Sequence, residues 1–121
     1  MANELQITIT QFSFQKGNVG VGTVPGSRQI TVSGNNAQEG QLPAVTTDVV
    51  LAKGNVASIG WLWIENLNQA GTDALLIGPD GVSYPIQFLP GEGGLFRWNQ
   101  TNVHVKSGGA SITAYYIMVD A

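Results

Sequence analysis

The clearest pattern along this chain is a period of two between apolar and polar positions. It runs through residues 5–14, whose apolar members are Leu5, Ile7, Ile9, Phe12 and Phe14. Successive side chains of a strand point to opposite faces, so the alternation predicts a strand. The first three of these residues share one parity and the two Phe share the other, which predicts a bulge or bend near Gln11.

Similar short runs, each bounded by turn residues, follow to the end of the chain. They cover residues 28–32, 42–45, 49–51, 60–66, 72–78, 82–89, 95–98, 102–106 and 110–119. Pro43 indicates that its run is an edge strand or a strand start. Pro79, Asp80 and Gly81 predict a hairpin in which Pro presets the turn and Gly81 supplies a positive φ.

No window of the chain has the 3.6-residue period of a helix. We therefore predict an all-β fold: one β-sandwich domain over residues 1–121, of jelly-roll type, with about eight antiparallel strands. A chain of 121 residues is long enough to bury a core without disulfides. Nothing between the predicted strands is long enough to be an interdomain linker.

The run from Trp61 to Ile64 is apolar at every position, which is typical of a strand covered on both faces. Trp61 and Trp63 are two residues apart and therefore share a face, opposite Leu62 and Ile64. We interpret the indole pair as part of the core or of a subunit interface. The alternative is a flat binding platform.

Composition excludes several classes of function. The chain has no Cys and one His, which leaves no disulfide framework, thiolate metal site or two-histidine site. Five scattered basic residues against eight acids, a net charge of −3, argue against nucleic acid and anionic membranes as partners. The first four residues lack a basic segment and an apolar segment, so we expect no signal peptide and synthesis in the cytoplasm. Nine Asn and nine Gln give a polar surface of low charge that suits packing against protein.

Candidate catalytic chemistry is sparse. His104 is the side chain best suited to act as a base at neutral pH, but it alternates with Val103 and Val105 and is expected to be an outward strand residue. The carboxylates are isolated along the sequence, and Asn66, Asn68 and Asp73 only faintly resemble a calcium loop. We predict no catalytic residue, no metal site and no cofactor.

Trp98 lies near a loop and is the indole we expect to be most exposed. It is therefore the candidate stacking residue for a glycan, which gives the alternative function of a host-adsorption module.

From residue 60 onward the chain resembles a family of small structural proteins of tailed bacteriophages and prophages. An aromatic strand ending in an Asn-Leu-Asp-like turn, an Ile-Gly-Pro strand end, a Leu-x-Pro-Gly-Glu turn and a Leu-Phe-Arg strand follow one another in that order. The matching segments are residues 60–68, 77–80, 89–92 and 95–98, closed by the strand 112–119. Glu65 stands where a basic residue is frequent in the family, and Asn68 replaces the usual aspartate.

The resemblance implies a non-enzymatic virion protein of the capsid decoration or cement, head-fibre, neck or tail-associated type. Its implied partners are copies of itself, with three as the expected number, and other capsid or tail proteins. The candidate interface residues are Leu5, Ile7, Ile9, Phe12, Trp61 and Trp63. Residues 1–14 are either an arm that adds a strand to a neighbouring sheet or an ordinary first strand of the domain.

Overall fold

The computed structural model describes residues 4–9, 12–16, 19–23, 26–31 and 34–121. The chain divides into two compact units, residues 1–33 and 34–121, and each is described by itself. All elements of the described residues are strands, which confirms the all-β prediction. That part of the chain accordingly offers no helix that could span a membrane.

The first unit is built from two antiparallel strand pairs. They are β1 (Glu4–Ile9) with β4 (Gly26–Thr31), and β2 (Phe12–Lys16) with β3 (Val19–Thr23). Ile9 is paired with Gly26, and Phe12, three residues further along, is paired with Thr23, three residues earlier. The two pairs therefore share one register.

Two sequence predictions fall in this unit. Leu5 and Ile7 are half-buried while Gln6 and Thr8 are exposed, as the alternation predicted. The predicted bulge near Gln11 lies outside the described residues.

The second unit contains eight of the twelve strands of the described residues, whereas about eight were expected over residues 1–121. They are β5 (Ala37–Ala44), β6 (Val49–Val50), β7 (Ile59–Asn66), β8 (Leu75–Gly78), β9 (Ile86–Phe88), β10 (Gly93–Arg97), β11 (His104–Ser107) and β12 (Ile112–Asp120). The strand order is β10-β7-β12-β5 in the first sheet and β6-β11-β8-β9 in the second, antiparallel throughout. The chain crosses between sheets at nearly every connection, and β5 lies beside β12. This is the strand order of a jelly roll.

The core lies between the two sheets. In β7 and β12 every second residue is buried and the residues between are half-buried, the pattern of a sheet with one covered face. Leu62 and Ile64 of the first sheet share one apolar cluster with Leu75 and Ile77 of the second. The predicted β-sandwich is confirmed.

Two local predictions concern Pro and Gly. Pro43 lies on β5, which is at the edge of the first sheet and, among the described strands, pairs with β12 alone, as its position indicated. β8 and β9 form the predicted hairpin, but the prediction of a positive φ at Gly81 is wrong. The turn is closed instead by Asp80, whose Oδ1 accepts the backbone N–H groups of Val82 at 2.9 Å and Ser83 at 2.8 Å.

Candidate functional site

The outer face of the first sheet carries a continuous apolar patch, which we call the outer band. Its members come from three adjacent strands and are Trp61, Trp63, Leu95, Ile117 and Val119. Trp63 is paired with Leu95 on one side and Ile117 on the other, and Trp61 is paired with Val119. Cross-strand partners in an antiparallel sheet lie side by side on one face, so the five side chains adjoin. All five are half-buried.

Polar side chains border the outer band. At one end Arg97, the partner of Trp61, donates a hydrogen bond from Nη1 to the Gly60 carbonyl at 2.7 Å. At the other end Glu65 is paired with Tyr115, whose hydroxyl donates to Glu39 Oε2 at 2.6 Å. An apolar centre with a polar border is the anatomy of a protein–protein interface.

Of the candidate interface residues predicted from the sequence, Trp61 and Trp63 lie in the outer band. The inward positions of β7 go to Leu62 and Ile64, so the indoles share the opposite face and lie outside the core. Of the other candidates, Leu5 and Ile7 lie on β1, whose backbone pairs with β4 along its whole length. The backbone of Ile9 lies in β1 and that of Phe12 in β2, and the structure does not describe the side chains of these two residues.

The prediction that Trp98 is the most exposed indole is wrong. Its side chain is only 6% exposed and belongs to the core cluster, because the residue after β10 turns inward. The indole Nε1 donates to the Asn102 carbonyl at 3.0 Å, which satisfies its polar edge. A ring with both faces covered offers no stacking platform for a sugar.

A second cluster lies on the outer face of the other sheet, where His104 is the half-buried outward residue that the sequence predicted. His104 Nδ1 lies 2.8 Å from Asp48 Oδ2, and the Tyr84 hydroxyl donates to Asp48 Oδ1. Lys106 Nζ lies 4.5 Å from the centre of the Tyr84 ring, within cation–π range. No sequence pattern predicts this cluster, because its members come from three segments that are twenty or more residues apart.

Asp48 and Tyr84 shift each other's pKa. The hydrogen bond from Tyr84 is the main cause that lowers the pKa of Asp48, and the same bond raises the pKa of Tyr84 to about 12. In the described part of the chain, the hydroxyl that contacts the Asp48–His104 pair is this phenol, and it donates to the carboxylate. The phenol thereby holds the loop before β9 in place. Its O–H is directed at the carboxylate and not at the imidazole, so the imidazole is not positioned to activate it as a nucleophile.

This hydrogen bond predicts the alkaline titration of Tyr84. We expect wild type and Tyr84→Phe to show the same tyrosinate absorbance at pH 10.5, because Tyr84 is still protonated there. Asp48→Ala removes the main cause of the raised pKa and should ionise Tyr84 near its ordinary value of about 10. Because the folded pKa is raised, the stability gained from this bond is complete below about pH 10 and is lost between about pH 10 and 12. A wild-type Tyr84 that ionises near pH 10 would contradict the assignment.

The Asn66–Asp73 segment is held by amide hydrogen bonds. Asn66 Nδ2 donates to the carbonyls of Asp73 and Phe88, both at 3.2 Å, and its Oδ1 accepts from Asn68 N–H at 3.1 Å. Asn68 Oδ1 in turn accepts from Thr113 N–H at 3.3 Å. These oxygens are used within the protein, and the described residues contain no group of three His, Cys, Asp or Glu side chains placed to hold a metal.

A shallow cleft of about 270 Å³ lies between residues 57–59 and 99–101. Amide and hydroxyl groups line most of it, from Ser58, Asn99, Gln100 and Thr101. Ligand pockets in proteins are usually larger and mainly apolar, with aromatic side chains on their walls. The cleft therefore supplies polar contacts without a stacking surface.

The jelly roll is an architecture that serves many unrelated functions, so a function has to be argued from particular surfaces. Among the described residues, the outer band and the Asp48 cluster are two surfaces from which a function can be argued. No protein-family model, curated protein or solved structure matches this chain.

Proposed function

We propose that this protein is a non-enzymatic structural component of a bacteriophage virion, of the capsid decoration or cement, or neck or tail-associated type, and that it acts through protein–protein contacts. The outer band is the observation that carries the proposal. It places two Trp and three aliphatic side chains together on the outside of a sheet whose inner face already fills the core.

The composition of the outer band supports a protein partner. Trp and Tyr are the residues that most often dominate binding energy at interfaces, and a border of polar groups that excludes water strengthens them. Trp61 and Trp63 lie at the centre, with Tyr115 and Arg97 at the border. The low overall charge fits the same use, since the depletion of charged residues distinguishes interface cores from other protein surface.

Two of the segments that resemble phage structural proteins lie on neighbouring strands of the sheet that carries the outer band. The aromatic strand that begins the similarity is β7, and the Leu-Phe-Arg strand is β10, its neighbour in the sheet. Glu65, where the family often has a basic residue, lies at the border of the outer band. The charge contact that this position makes with a neighbouring protein is therefore expected to differ from the one in that family.

Labelling of virions tests the proposal. We expect gold-labelled antibodies raised against the purified protein to decorate particles released by the source phage or prophage at regular positions. Particles carrying Ile117→Lys should lose most of the label, because a charge at the centre of the outer band must be desolvated on contact. Thr113→Lys is the matched control, since it adds the same charge on the same strand and face but outside the outer band.

Two results would overturn this function. One is absence of the protein from purified particles while it accumulates free in the lysate. The other is specific binding to a glycan array that Trp61→Ala abolishes, which would favour the adsorption module instead. Soluble, folded Ile117→Lys protein, checked by thermal unfolding, shows that lost label reflects lost contact.

A further inference from the structure

We propose that the outer band pairs with the outer band of a second copy of this chain about a two-fold axis. The inference rests on the proposed function, because it names the partner of the same surface. It departs from the three-fold arrangement that the resemblance implies, and it is argued from the register of the strands and the positions of the charges.

The register defines three parallel rows across the outer face. The central row is Leu95, Trp63 and Ile117; one flanking row contains Arg97, Trp61 and Val119, and the other contains Glu65 and Tyr115. A two-fold axis that runs along the central row sets each of its residues against the same residue of the other copy. Two sheets stacked in this way interdigitate their side chains at about 10 Å, as the sheets of a sandwich do.

The same axis reverses the strand direction, so the flanking rows exchange places. The row of Arg97, Trp61 and Val119 in one copy then lies over the row of Gly93, Glu65 and Tyr115 in the other, each residue over one on its own strand. Arg97 therefore lies over Gly93, which has no side chain, and Glu65 is one strand spacing of about 4.8 Å to the side, within reach of the guanidinium. A basic group thus approaches an acidic group at both ends of the interface, which is the self-complementarity that a two-fold contact requires. Glu39, the partner of Ile117 on the edge strand β5, faces the same residue of the other copy at the end of the central row. It is exposed there and accepts the hydrogen bond of the Tyr115 hydroxyl.

A reversal of these charges tests the pairing. In sedimentation equilibrium on the full-length protein at low salt, we expect Arg97→Glu and Glu65→Arg each to raise the dimer dissociation constant about tenfold, by replacing attraction with repulsion. The double variant restores opposite charges across the two-fold axis and should recover to within about threefold of wild type. Lys53→Glu is the control for net charge, because it makes the same charge change as Arg97→Glu at a loop residue outside the outer band, where Lys53 Nζ donates to the Thr101 carbonyl.

The double variant also separates an effect on the contact between the two copies from an effect on the fold of each copy. Arg97→Glu removes the hydrogen bond to the Gly60 carbonyl, and the double variant lacks that bond as well. Recovered pairing in the double variant can therefore come only from the exchanged charges.

Three results would overturn the inference. They are a strictly monomeric wild type at high concentration, a trimeric mass that neither single variant changes, and a double variant that pairs no better than the single variants. None of these results changes the outcome expected when virions are labelled, and that experiment tests the proposed function independently. A trimer on labelled virions would reject the two-fold contact and leave the structural function standing.

Discussion

Replacement of Asn66 by Ala is expected to lower the free energy of unfolding by about 3 kcal/mol. The side chain is 1% exposed and joins three backbone segments at the end of β7, through the carbonyls of Asp73 and Phe88 and the N–H of Asn68. Alanine fits the space but leaves these groups without their partner in a place that water does not reach. Each buried polar group left unsatisfied costs about 1–3 kcal/mol.

Urea denaturation of the variant measures this loss, with Gln69→Ala as the control. Gln69 is an amide in the same loop, is exposed, and donates only one long hydrogen bond, to the Leu67 carbonyl at 3.3 Å. We expect its replacement to change the unfolding free energy by less than about 0.5 kcal/mol. Equal effects of the two substitutions would show that Asn66 does not hold the loops together.

The fold could be predicted because its strands carry local signals. Alternation marks β1, a Pro-Asp-Gly turn marks the hairpin of β8 and β9, and Pro43 marks an edge. β3 (Val19–Thr23) was missed, since Gly at two of its five positions is typical of a loop. Its strand conformation follows from pairing with β2, which no local pattern reveals.

The candidate site was predictable only in part, for a related reason. Two residues separated by one share a face of a strand, so Trp61 and Trp63 could be placed together from sequence. Which face is the core depends on the other strands, because Leu62 and Ile64 fill it only once β8 and β11 lie opposite. Strand pairing brings three further residues next to the indoles: Leu95, Ile117 and Val119. Their spacing along the chain does not predict this.

Trp98 is a residue for which the prediction from sequence was wrong. Its position after a strand and before the polar residues 99–102 is typical of an exposed side chain. The chain turns inward there, because Trp98 N–H donates to the Gly60 carbonyl at 2.9 Å and the indole reaches Asn102. A single bulky residue at a strand end can lie on either side of the sheet, and long-range hydrogen bonds decide which.

The two faces of the first sheet differ in burial, and adjacent residues of β12 lie on opposite faces. Met118 is 0% exposed in the core, and its neighbour Ile117 lies in the outer band. We expect Met118→Ala to lower the free energy of unfolding by about 3 kcal/mol, through lost apolar burial and the cavity left behind. Ile117→Ala should cost about 1 kcal/mol or less in the monomer, because its side chain is only partly covered.

Urea denaturation at two protein concentrations distinguishes these effects. Pairing stabilises the folded state by mass action, so the wild-type midpoint should rise with concentration. Met118→Ala should keep that rise while its whole curve shifts to lower urea, because its outer face is intact. Ile117→Ala should unfold near the wild-type midpoint when dilute and gain little when concentrated. If both variants lost the same stability and kept the same dependence on concentration, the outer band would be part of the monomer's own packing and not a surface for association.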